Sequence, residues 1–363
     1  MNIAVDAREL GGKPTGVGTY LAHLLDEWER MPEARVHRWV LYTPTGGSRE
    51  AHGGILESRE VRGQAGTWWE QQVLAAAIRR DRPDVLFAPG YTAPLAISVP
   101  VVLTIHDLSF FAHPEWFSWR EGLRRRLITR WSARRARSVL TVSQFSKREI
   151  VARLRIPDAR IRVVHHGLSR PTLPVPAQSR LPTVLYVGSI FNRRRVPDLI
   201  RAFALLAADV ADARLEIVGE DRTHPREDVA GLARALGVAG RVSFRSYVAD
   251  EQLASLYAEA RVFAFLSEYE GFGLTPLEAL AHRVPVVVLV TPDAREVYED
   301  AATYVRPGDL AGTAAALKRL LLDADARAVQ MRNAERVLDR YCWREAAQKT
   351  LSALEEAAGL KRE

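Results

Sequence analysis

The chain has 363 residues, of which 47% are hydrophobic and 26% are charged, a composition typical of a globular protein with room for two hydrophobic cores. The single cysteine, Cys342, excludes an internal disulfide and fits a reducing compartment, and no apolar run reaches the roughly 18 residues of a membrane span. The net charge of +7 is uneven, because residues 1–180 carry 27 Lys/Arg against 17 Asp/Glu and residues 181–363 carry 24 against 27.

Apolar runs with the length of strands alternate with helical patterns along the chain. The first set is IAVDA, HRWVLYT, DVLFAP, VPVVLTIHD and SVLTVS, and the second is TVLYVGS, RLEIVGE, RVSFRSY, RVFAFLS and VPVVVLV. Segments such as DLIRAFALLAADV and EQLASLYAEA between them have helical patterns. Near-continuous apolar strands separated by helices predict parallel sheets that are covered on both faces. Two such sets predict two doubly wound α/β domains.

A proline-rich stretch, GLSRPTLPVPAQSRLPT at residues 167–183, separates the two sets. It has no apolar periodicity and predicts a linker. We therefore place an N-terminal domain at residues 1–170 and a C-terminal domain at residues 171–342. The chain opens on MNIAV with no basic or apolar leader before it, so we expect no signal peptide and a cytoplasmic protein.

The loops after four strands hold the candidate ligand-binding groups. Open parallel sheets bind ligands beyond the carboxyl ends of their strands. TGVGTY follows the first strand, His106 ends VPVVLTI, SIFNRRRVPDLI follows TVLYVG, and EYEGFGLTPLEAL follows RVFAFLS. Two domains that face each other would bring all four loops into one cleft.

The last of these loops places Glu270 and Glu278 on either side of a Gly-Phe-Gly turn. The residue types predict a helix with Thr275 at the N-cap, Pro276 at N1 and Glu278 at N3. In one interpretation Glu278 only closes a capping box. In the other, the helix N-terminus binds phosphate, Gly273 lets the backbone approach the ligand, and the carboxylates accept hydrogen bonds from hydroxyls. That combination favours a nucleotide sugar.

These residues carry a resemblance to a known family. Glu270-x7-Glu278 within EGFGLTPLEALA resembles the signature of retaining glycosyltransferases of family four, which have the GT-B fold. DARELGGKPTGVGTYLAHLL, VVLTIHDLSFFAHPEWFS, LTVSQFSKREIV and VGSIFNRRRVPDLIRAF resemble further segments, so the similarity covers nearly the whole chain. The resemblance implies an α/β fold of two doubly wound Rossmann-like domains that face a central cleft. The N-terminal domain would bind the acceptor, and the C-terminal domain would bind the nucleotide-sugar donor. It also implies that the final helix, within residues 343–363, crosses back onto the N-terminal domain.

The resemblance implies a role for each candidate residue. His106 and Glu270 would contact the donor sugar, Arg193 and Arg194 would neutralise its diphosphate, and Glu278 would hold the ribose hydroxyls. The other implied donor-binding residues are Gly16, Gly18, Gly188, Phe272, Gly273, Leu274 and Thr275. No metal and no cofactor are implied, because the arginines and a helix N-terminus stabilise the leaving diphosphate of the nucleotide-sugar donor, GDP-mannose or a UDP-hexose.

Alternative interpretations remain open for several of these residues. His106 at the end of a strand can be a structural histidine, and its neighbour Asp107 allows a metal site that no other residue supports at metal-ligand spacing. Gly16 and Gly18 can form a plain turn. TGVGTY lacks the third glycine of a dinucleotide-binding loop, and no acidic residue ends the next strand.

Five positions depart from the family pattern, and one of them is Arg194, where relatives often carry lysine. His166 stands where relatives commonly have asparagine, and Ser246 and Arg283 stand where glycine is frequent. Arg195 falls where asparagine or glycine is common and is left outside the core site. These departures leave the base and the sugar of the donor open.

The segment EGLRRRLITRWSARRARSV predicts a basic helix at residues 121–139. Leu123, Leu127, Ile128 and Trp131 share one face, and another carries Arg126, Arg130, Arg134 and Arg137. Either the apolar stripe is buried in a core, or the helix docks on an anionic membrane leaflet with Trp116 and Trp119 inserted at the interface. Nucleic acid is not expected, since the sequence contains no recognition motif.

We predict a retaining, metal-independent hexosyltransferase that serves glycan, polysaccharide or glycolipid synthesis. TIHDLSFFAHPEWFS looks most like mannosyltransferase members, so mannose from GDP-mannose is the first candidate donor. The acceptor is a glycan or a lipid-linked sugar, and a lipid-linked acceptor would place the protein on the inner face of a membrane. Two alternatives are a GT-B epimerase acting on a nucleotide sugar and a non-catalytic protein that binds nucleotide sugars.

Overall fold

The computed structural model describes residues 1–11, 16–46, 54–171 and 182–360, which fall into two compact units. Unit 1 comprises Met1–Ala112, Trp119–Gly167 and Cys342–Glu363, and unit 2 comprises His113–Ser118 and Leu168–Tyr341. The short segment His113–Ser118 therefore belongs to the second unit, although the sequence placed it inside the N-terminal domain. Most of the predicted linker lies outside the described residues.

Unit 1 is built on a seven-stranded parallel sheet. Its strands, β1 to β7, are Asn2–Asp6, Arg38–Thr43, Leu56–Glu60, Val85–Ala88, Val101–Ile105, Ser138–Thr141 and Ile161–Val163. They lie in the order β3-β2-β1-β4-β5-β6-β7. Every residue of β4 and β5 is buried, as expected for inner strands of a sheet covered on both faces.

Helices cover this sheet, and their apolar faces set how they pack. The first six, α1 to α6, are Gly16–Arg30, Pro32–Arg35, Ala75–Asp81, Ser109–Ala112, Trp119–Arg135 and Gln144–Leu154. A π-helical segment, Trp69–Leu74, runs directly into α3. In α1, Leu21, Leu24, Leu25 and Trp28 are buried at the i, i+3, i+4 and i+7 spacing of an apolar helix face.

Helix α5, the predicted basic helix, packs in an unusual way. Its buried residues are small or polar: Gly122, Thr129, Ser132 and Ala133. Its large apolar side chains are exposed: Trp119 by 71%, Leu123 by 43%, Leu127 by 46% and Trp131 by 52%. The interpretation of a buried apolar stripe is therefore wrong, because the close packing of small residues turns the large ones outward. Among the described residues, none of the helices has the length and hydropathy needed to cross a membrane.

Unit 2 is built on a six-stranded parallel sheet. Strands β8 to β13 are Thr183–Val187, Arg214–Val218, Val242–Arg245, Val262–Phe265, Val286–Leu289 and Thr303–Val305, in the order β10-β9-β8-β11-β12-β13. Helices α7 to α13 are Val196–Asp209, Val229–Ala235, Asp250–Glu259, Leu274–Ala281, Pro292–Tyr298, Leu310–Leu322 and Ala324–Leu338. This is again a doubly wound α/β arrangement.

The final helix, α14 at Trp343–Ala357, belongs to unit 1 although it follows all of unit 2 in the chain. It packs against α1, where the indole Nε1 of Trp28 donates a hydrogen bond to the carbonyl of Ala347 at 3.0 Å. At its start the chain passes very close to Gly167, whose missing Cβ would lie 2.2 Å from the backbone nitrogen of Trp343. Any larger residue at 167 would displace the beginning of α14.

The sequence did not predict three of the strands, and all three lie at sheet edges. β3 (LESRE) alternates buried and exposed residues, while β7 (IRV) and β13 (TYV) have only three residues each. Edge strands face solvent along one side, so they do not need the continuous apolar run by which an inner strand is recognised.

Candidate active site

In unit 2, the turn after β8 carries the two arginines that the sequence singled out. Asn192–Arg194 forms one 3-10 turn, and Arg195 begins α7 with a left-handed φ of 47°. Gly188 ends the strand with a φ of 138°, and a Cβ there would lie 2.3 Å from Nη1 of Arg194. Glycine at 188 thus gives the Arg194 side chain the space to lie across the end of β8.

Arg194 is held from several sides. Its Nε donates to Oε1 of Glu270 at 3.0 Å, and its Nη1 donates to the carbonyl of Ser189 at 2.9 Å. The guanidinium also lies 5.0 Å from the ring centroid of Phe265. A planar cation fixed by a carboxylate, a carbonyl and an aromatic ring keeps one orientation.

Arg193 faces the same carboxylate. Its Nε is 3.5 Å from Oε1 of Glu270, and its guanidinium lies 4.4 Å from the ring centroid of Phe191. That Nε is buried and has no hydrogen-bond partner among the described residues. Two cations thus share one carboxylate, which leaves this turn with an excess of positive charge suited to a phosphate.

Glu270 is ionised in this setting. Burial alone would raise the pKa of its carboxyl, but Arg194 and Arg193 outweigh burial and lower it below its ordinary value. For Arg194, burial favours the neutral form, and Glu270 reverses this so that the pKa is raised. The hydroxyl of Ser267 donates to the same carboxylate at 2.9 Å. At neutral pH Glu270 therefore acts only as a hydrogen-bond acceptor, and Arg194 stays charged.

The Gly-Phe-Gly turn leads into α10, which begins earlier than the sequence predicted. Gly273 is the N-cap with a left-handed φ of 80°, and its carbonyl accepts from the Tyr298 hydroxyl at 2.8 Å. Thr275 therefore lies inside the first turn together with Leu274, and its buried Oγ1 has no partner among the described residues. The predicted capping box is wrong, because a glycine cap took the place of the threonine cap. The first-turn amides of α10 have no helical acceptors and are suited to an anion.

Glu278 lies one turn further along α10, beside a tyrosine. The hydroxyl of Tyr257 donates to its Oε2 at 3.3 Å, and the Tyr257 ring stacks on His282 at 4.7 Å. Burial raises the pKa of Glu278, and the tyrosine hydroxyl offsets only part of that shift. Phe272, by contrast, turns its side chain into the core of unit 2, where it packs edge-on against Tyr341. What Phe272 can offer a ligand is its backbone.

Asp293, at the start of α11, was missed by the sequence analysis. It is buried, and Oδ1 of its carboxyl accepts no hydrogen bond from the described residues. Burial is the main cause that raises its pKa from 3.8 to about 7, and the charge of Glu270 adds to the rise. The only signal in the sequence was the acidic segment TPDAREVYEDA, which did not indicate which of its acids is buried.

We expect Asp293→Asn to stabilise the protein increasingly as the pH rises. The folded protein holds the carboxyl protonated up to about pH 7, whereas the unfolded chain ionises it near 3.8. The gain of the variant over the wild type therefore grows from pH 4 to about 7 and is constant above, reaching on the order of 4 kcal/mol. Melting temperatures at about pH 5.5 and about pH 8 measure it. If Asp293→Asn lowers the melting temperature equally at both pH values, the prediction is wrong. Asp212 is exposed, so Asp212→Asn is the control for the effect of an Asp-to-Asn change itself.

In unit 1, His106 follows the end of β5 and is buried. Its Nε2 donates to the carbonyl of Pro89 at 2.8 Å, and its ring stacks on His166 at 5.4 Å. Burial lowers the pKa of His106, so the ring is neutral at physiological pH. Asp107 accepts from the Ser109 amide at 2.8 Å and from the Tyr91 hydroxyl at 3.1 Å. These two hydrogen bonds let Asp107 fix the conformation of the loop that follows it.

Gly16 and Gly18 lie in the first turn of α1 and do not form a separate tight turn. Gly18 is buried, whereas a Cβ at Gly16 would meet no other atom of the described residues within 4 Å. At Gly16 the protein's own packing therefore does not require glycine. Within the parts of the chain that the structure describes, no group of three or more His, Cys, Asp or Glu side chains is placed to hold a metal ion.

Unit 1 also contains a buried charged cluster that no motif revealed. Asp6, at the carboxyl end of β1, pairs with Arg8 at 2.6 Å, and Arg8 also pairs with Glu70. The hydroxyl of Thr92 donates to Glu70 at 2.6 Å. Burial raises the pKa of Asp6 to about 6. Asp6 and Glu70 are 64 residues apart in the sequence, so only the fold reveals the pair.

Two of the departures from the family pattern now have a structural setting. Arg283 has a left-handed φ of 58°, a conformation that glycine adopts at lower cost, which accounts for glycine in relatives. His166 is buried beside His106 and Tyr20, and burial lowers its pKa well below the ordinary value. Ser246 follows β10 and is exposed.

The two units define a class of protein with two doubly wound, Rossmann-like α/β domains. Two family models match the chain, Glycosyltransferase Family 4 over residues 14–170 and Glycosyl transferases group 1 over residues 174–337. The chain belongs to the family-four glycosyltransferases with the GT-B fold.

Known proteins of this family are similar along most of the chain. O-antigen chain mannosyltransferase B of Escherichia coli is 28% identical over 76% of this chain and 75% of its own length. GDP-mannose:cellobiosyl-diphosphopolyprenol alpha-mannosyltransferase of Komagataeibacter xylinus is 30% identical over 56% of this chain and 53% of its own. The structure of sucrose-phosphate synthase from Thermosynechococcus elongatus superposes with a TM-score of 0.77 at 20% identity, covering 99% of this chain and 100% of that one.

Proposed function

We propose that this glycosyltransferase transfers a hexose, with retention of configuration, from a nucleoside diphosphate sugar to an acceptor hydroxyl. The proposal depends on one observation, the cluster of Arg193, Arg194 and Glu270. Unit 2 holds this cluster and also the first turn of α10, whose amides suit an anion. A cluster with two arginines and one carboxylate has positive charge left for a diphosphate, and Glu270 offers an acceptor to sugar hydroxyls.

The reaction breaks the bond between C1 of the sugar and the diphosphate oxygen and forms a bond from C1 to the acceptor oxygen. Negative charge grows on the departing diphosphate, and the proton of the acceptor hydroxyl moves to it on the same face of the sugar. Arg193, Arg194 and the amides of Leu274 and Thr275 would stabilise that charge without a metal ion. We assign no side chain as a general base.

Mannose from GDP-mannose is the donor that we propose. The support lies in the names of the relatives above, two of which are mannosyltransferases and one of which uses GDP-mannose. A UDP-hexose is the second candidate donor. The acceptor that we propose is a glycan or a lipid-linked sugar.

A thermal-shift panel tests the donor and the site together. GDP-mannose, UDP-glucose, UDP-N-acetylglucosamine and NAD are each added, with and without EDTA, to the wild type, to Glu278→Gln and to the exposed control Glu259→Gln. A ligand at 100 times its Kd stabilises the protein by about 2.7 kcal/mol, which is a visible shift. We expect one sugar nucleotide to stabilise the wild type and the control, to resist EDTA, and to fail on Glu278→Gln. A shift with NAD alone, or with none of the four, overturns the proposal.

A membrane surface is the partner that we propose for unit 1. Trp119, Leu123, Leu127 and Trp131 recur every four residues along α5 and form one exposed stripe, here called the α5 stripe. Exposed arginines flank it at positions 120, 124, 134 and 135. An apolar stripe edged by arginine has the chemistry of a helix that lies in the interface of an anionic bilayer. Such docking would bring the enzyme to lipid-linked acceptors.

A further inference from the structure

Unit 2 contains a cavity of about 720 Å³ that none of the assigned residues explains. All of its lining residues belong to unit 2, including Glu115 and Trp116 from the segment His113–Ser118. Pro114–Trp116 of that segment form a short 3-10 helix at the cavity. The volume is sufficient for a ligand larger than one monosaccharide, since typical small-molecule sites span roughly 300–1,000 Å³.

The charges around the cavity exclude an anionic ligand. Five carboxylates and two arginines line it. Both arginines are already paired, Arg195 with Asp198 at 2.6 Å and Arg201 with the same Asp198 at 3.0 Å. Arg195 also pairs with Glu268. A phosphate or a uronic acid would therefore meet net negative charge without an available cation.

Two groups in the cavity suit a sugar ring. The Trp116 ring is partly buried and stacks on His113 at 4.0 Å, so a flat apolar surface is held in one position. Glu227 lines the cavity as well, and a carboxylate can accept several hydrogen bonds. A sugar presents an apolar C–H face to an aromatic ring and hydroxyl donors to a carboxylate, so both groups match it.

The cavity adjoins the arginine turn of the candidate active site. Asn192 and Arg195 line the cavity, while Arg193 and Arg194 between them face Glu270. These four residues are consecutive, so one backbone segment contributes both to the cavity and to the arginine turn. A ligand in the cavity would therefore contact the segment that carries the two arginines.

We propose that this cavity binds a neutral sugar unit of the acceptor, with its ring on Trp116 and a hydroxyl donating to Glu227. The proposal rests on the transferase function proposed above and adds the place and the charge class of the acceptor sugar. It locates that sugar in unit 2, whereas the resemblance implied the N-terminal domain. It gives the partly buried Trp116 a role in sugar binding within unit 2, where the sequence had suggested insertion into a membrane.

Saturation-transfer difference NMR with simple sugars tests the cavity directly. The probes are methyl α-mannoside, methyl α-glucoside and methyl α-galactoside, with glucuronic acid as the anionic comparison. We expect at least one neutral methyl hexoside to bind, and glucuronic acid not to bind. Trp116→Ala should weaken binding about tenfold, because a stacked aromatic ring contributes on that order. Glu227→Gln should also weaken it, and Trp116→Phe should restore most of it.

Matched controls separate a local effect from unfolding. Trp68→Ala removes a tryptophan of unit 1 that is 69% exposed. Glu259→Gln neutralises an exposed glutamate of α9. Both variants should bind the sugars as the wild type does. Failure of all three neutral sugars to bind overturns the proposal, as does equal binding by Trp116→Ala and the wild type. The donor panel fails or succeeds independently. Sugar binding without nucleotide-sugar binding would therefore overturn the transferase function and leave a sugar site with no role in transfer.

Discussion

Replacing Arg194 with alanine is expected to lower kcat about 100-fold, because removing one preorganised charge donor typically costs a factor of 10²–10³. The structure gives two reasons for an effect of this size from a single side chain. Arg194 is fixed by Glu270, Ser189 and an aromatic ring, so its charge needs no reorganisation during the reaction. Its removal also leaves the buried Glu270 with the Ser267 hydroxyl at 2.9 Å and the more distant Arg193 at 3.5 Å.

The change around Glu270 should also alter how the activity of Arg194→Ala depends on pH. Of the two arginines that lower the pKa of Glu270, Arg194 makes the larger contribution. Its loss should therefore raise that pKa. Residual activity should then fall at a higher pH than in the wild type as the medium is acidified. Initial rates with the donor found in the thermal panel measure both the loss and the pH profile. Unchanged turnover removes Arg194 from the mechanism.

Two further variants separate charge from geometry at this position. Arg194→Lys keeps the positive charge but loses the planar fork that reaches Glu270 and Ser189 together, so an intermediate loss is expected. Arg214→Ala removes an exposed arginine at the start of β9 and should leave kcat unchanged. Melting temperatures of all variants show whether any loss reflects unfolding, since breaking a buried ion pair is itself destabilising.

The residues that the sequence could identify are those whose signal is local. The inner strands are recognisable because burial on both faces demands a continuous apolar run. Glu270 and Glu278 were singled out because they lie within nine residues around one turn. The arginine turn was recognised for the same reason, since it directly follows a predicted strand.

What the sequence could not reveal depends on contacts between distant segments. Nothing near Gly188 indicates that its Cβ would collide with Arg194, and nothing in the first strand indicates that Asp6 faces a charged cluster with Glu70. The start of α10 was misplaced for a related reason. Tyr298, 25 residues away, donates to the carbonyl of Gly273 and holds the glycine cap, so tertiary contact overrode the local capping preference.

The sequence could not decide whether the α5 stripe is buried or exposed, because the same helical pattern fits a buried face and a membrane-facing one. The structure shows Gly122, Thr129, Ser132 and Ala133 as the packed residues, so the larger side chains are left outside. Arg126 and Arg130 turn back onto the unit, the first donating to the Phe110 carbonyl at 3.2 Å and the second lying over Phe111.

We expect the protein to bind vesicles that contain anionic lipid, and to lose that binding when the α5 stripe is removed. Full burial of one large apolar side chain is worth about 1.5–3 kcal/mol. Four half-exposed side chains that insert only partly still predict a loss of about 100-fold or more when all four become alanine. Each exposed arginine adds about 1 kcal/mol near an anionic surface, so added salt should weaken binding by the wild type.

Co-sedimentation with vesicles of phosphatidylcholine, with and without phosphatidylglycerol, measures this binding. The matched control changes two exposed apolar residues of unit 2, Leu322→Ala and Val329→Ala, which should bind as the wild type does. Equal binding by the stripe variant, or equally tight binding of the wild type to purely neutral vesicles, contradicts the membrane proposal. Because every altered residue is exposed, melting temperatures should stay close to that of the wild type, and lost binding then reports on the surface itself.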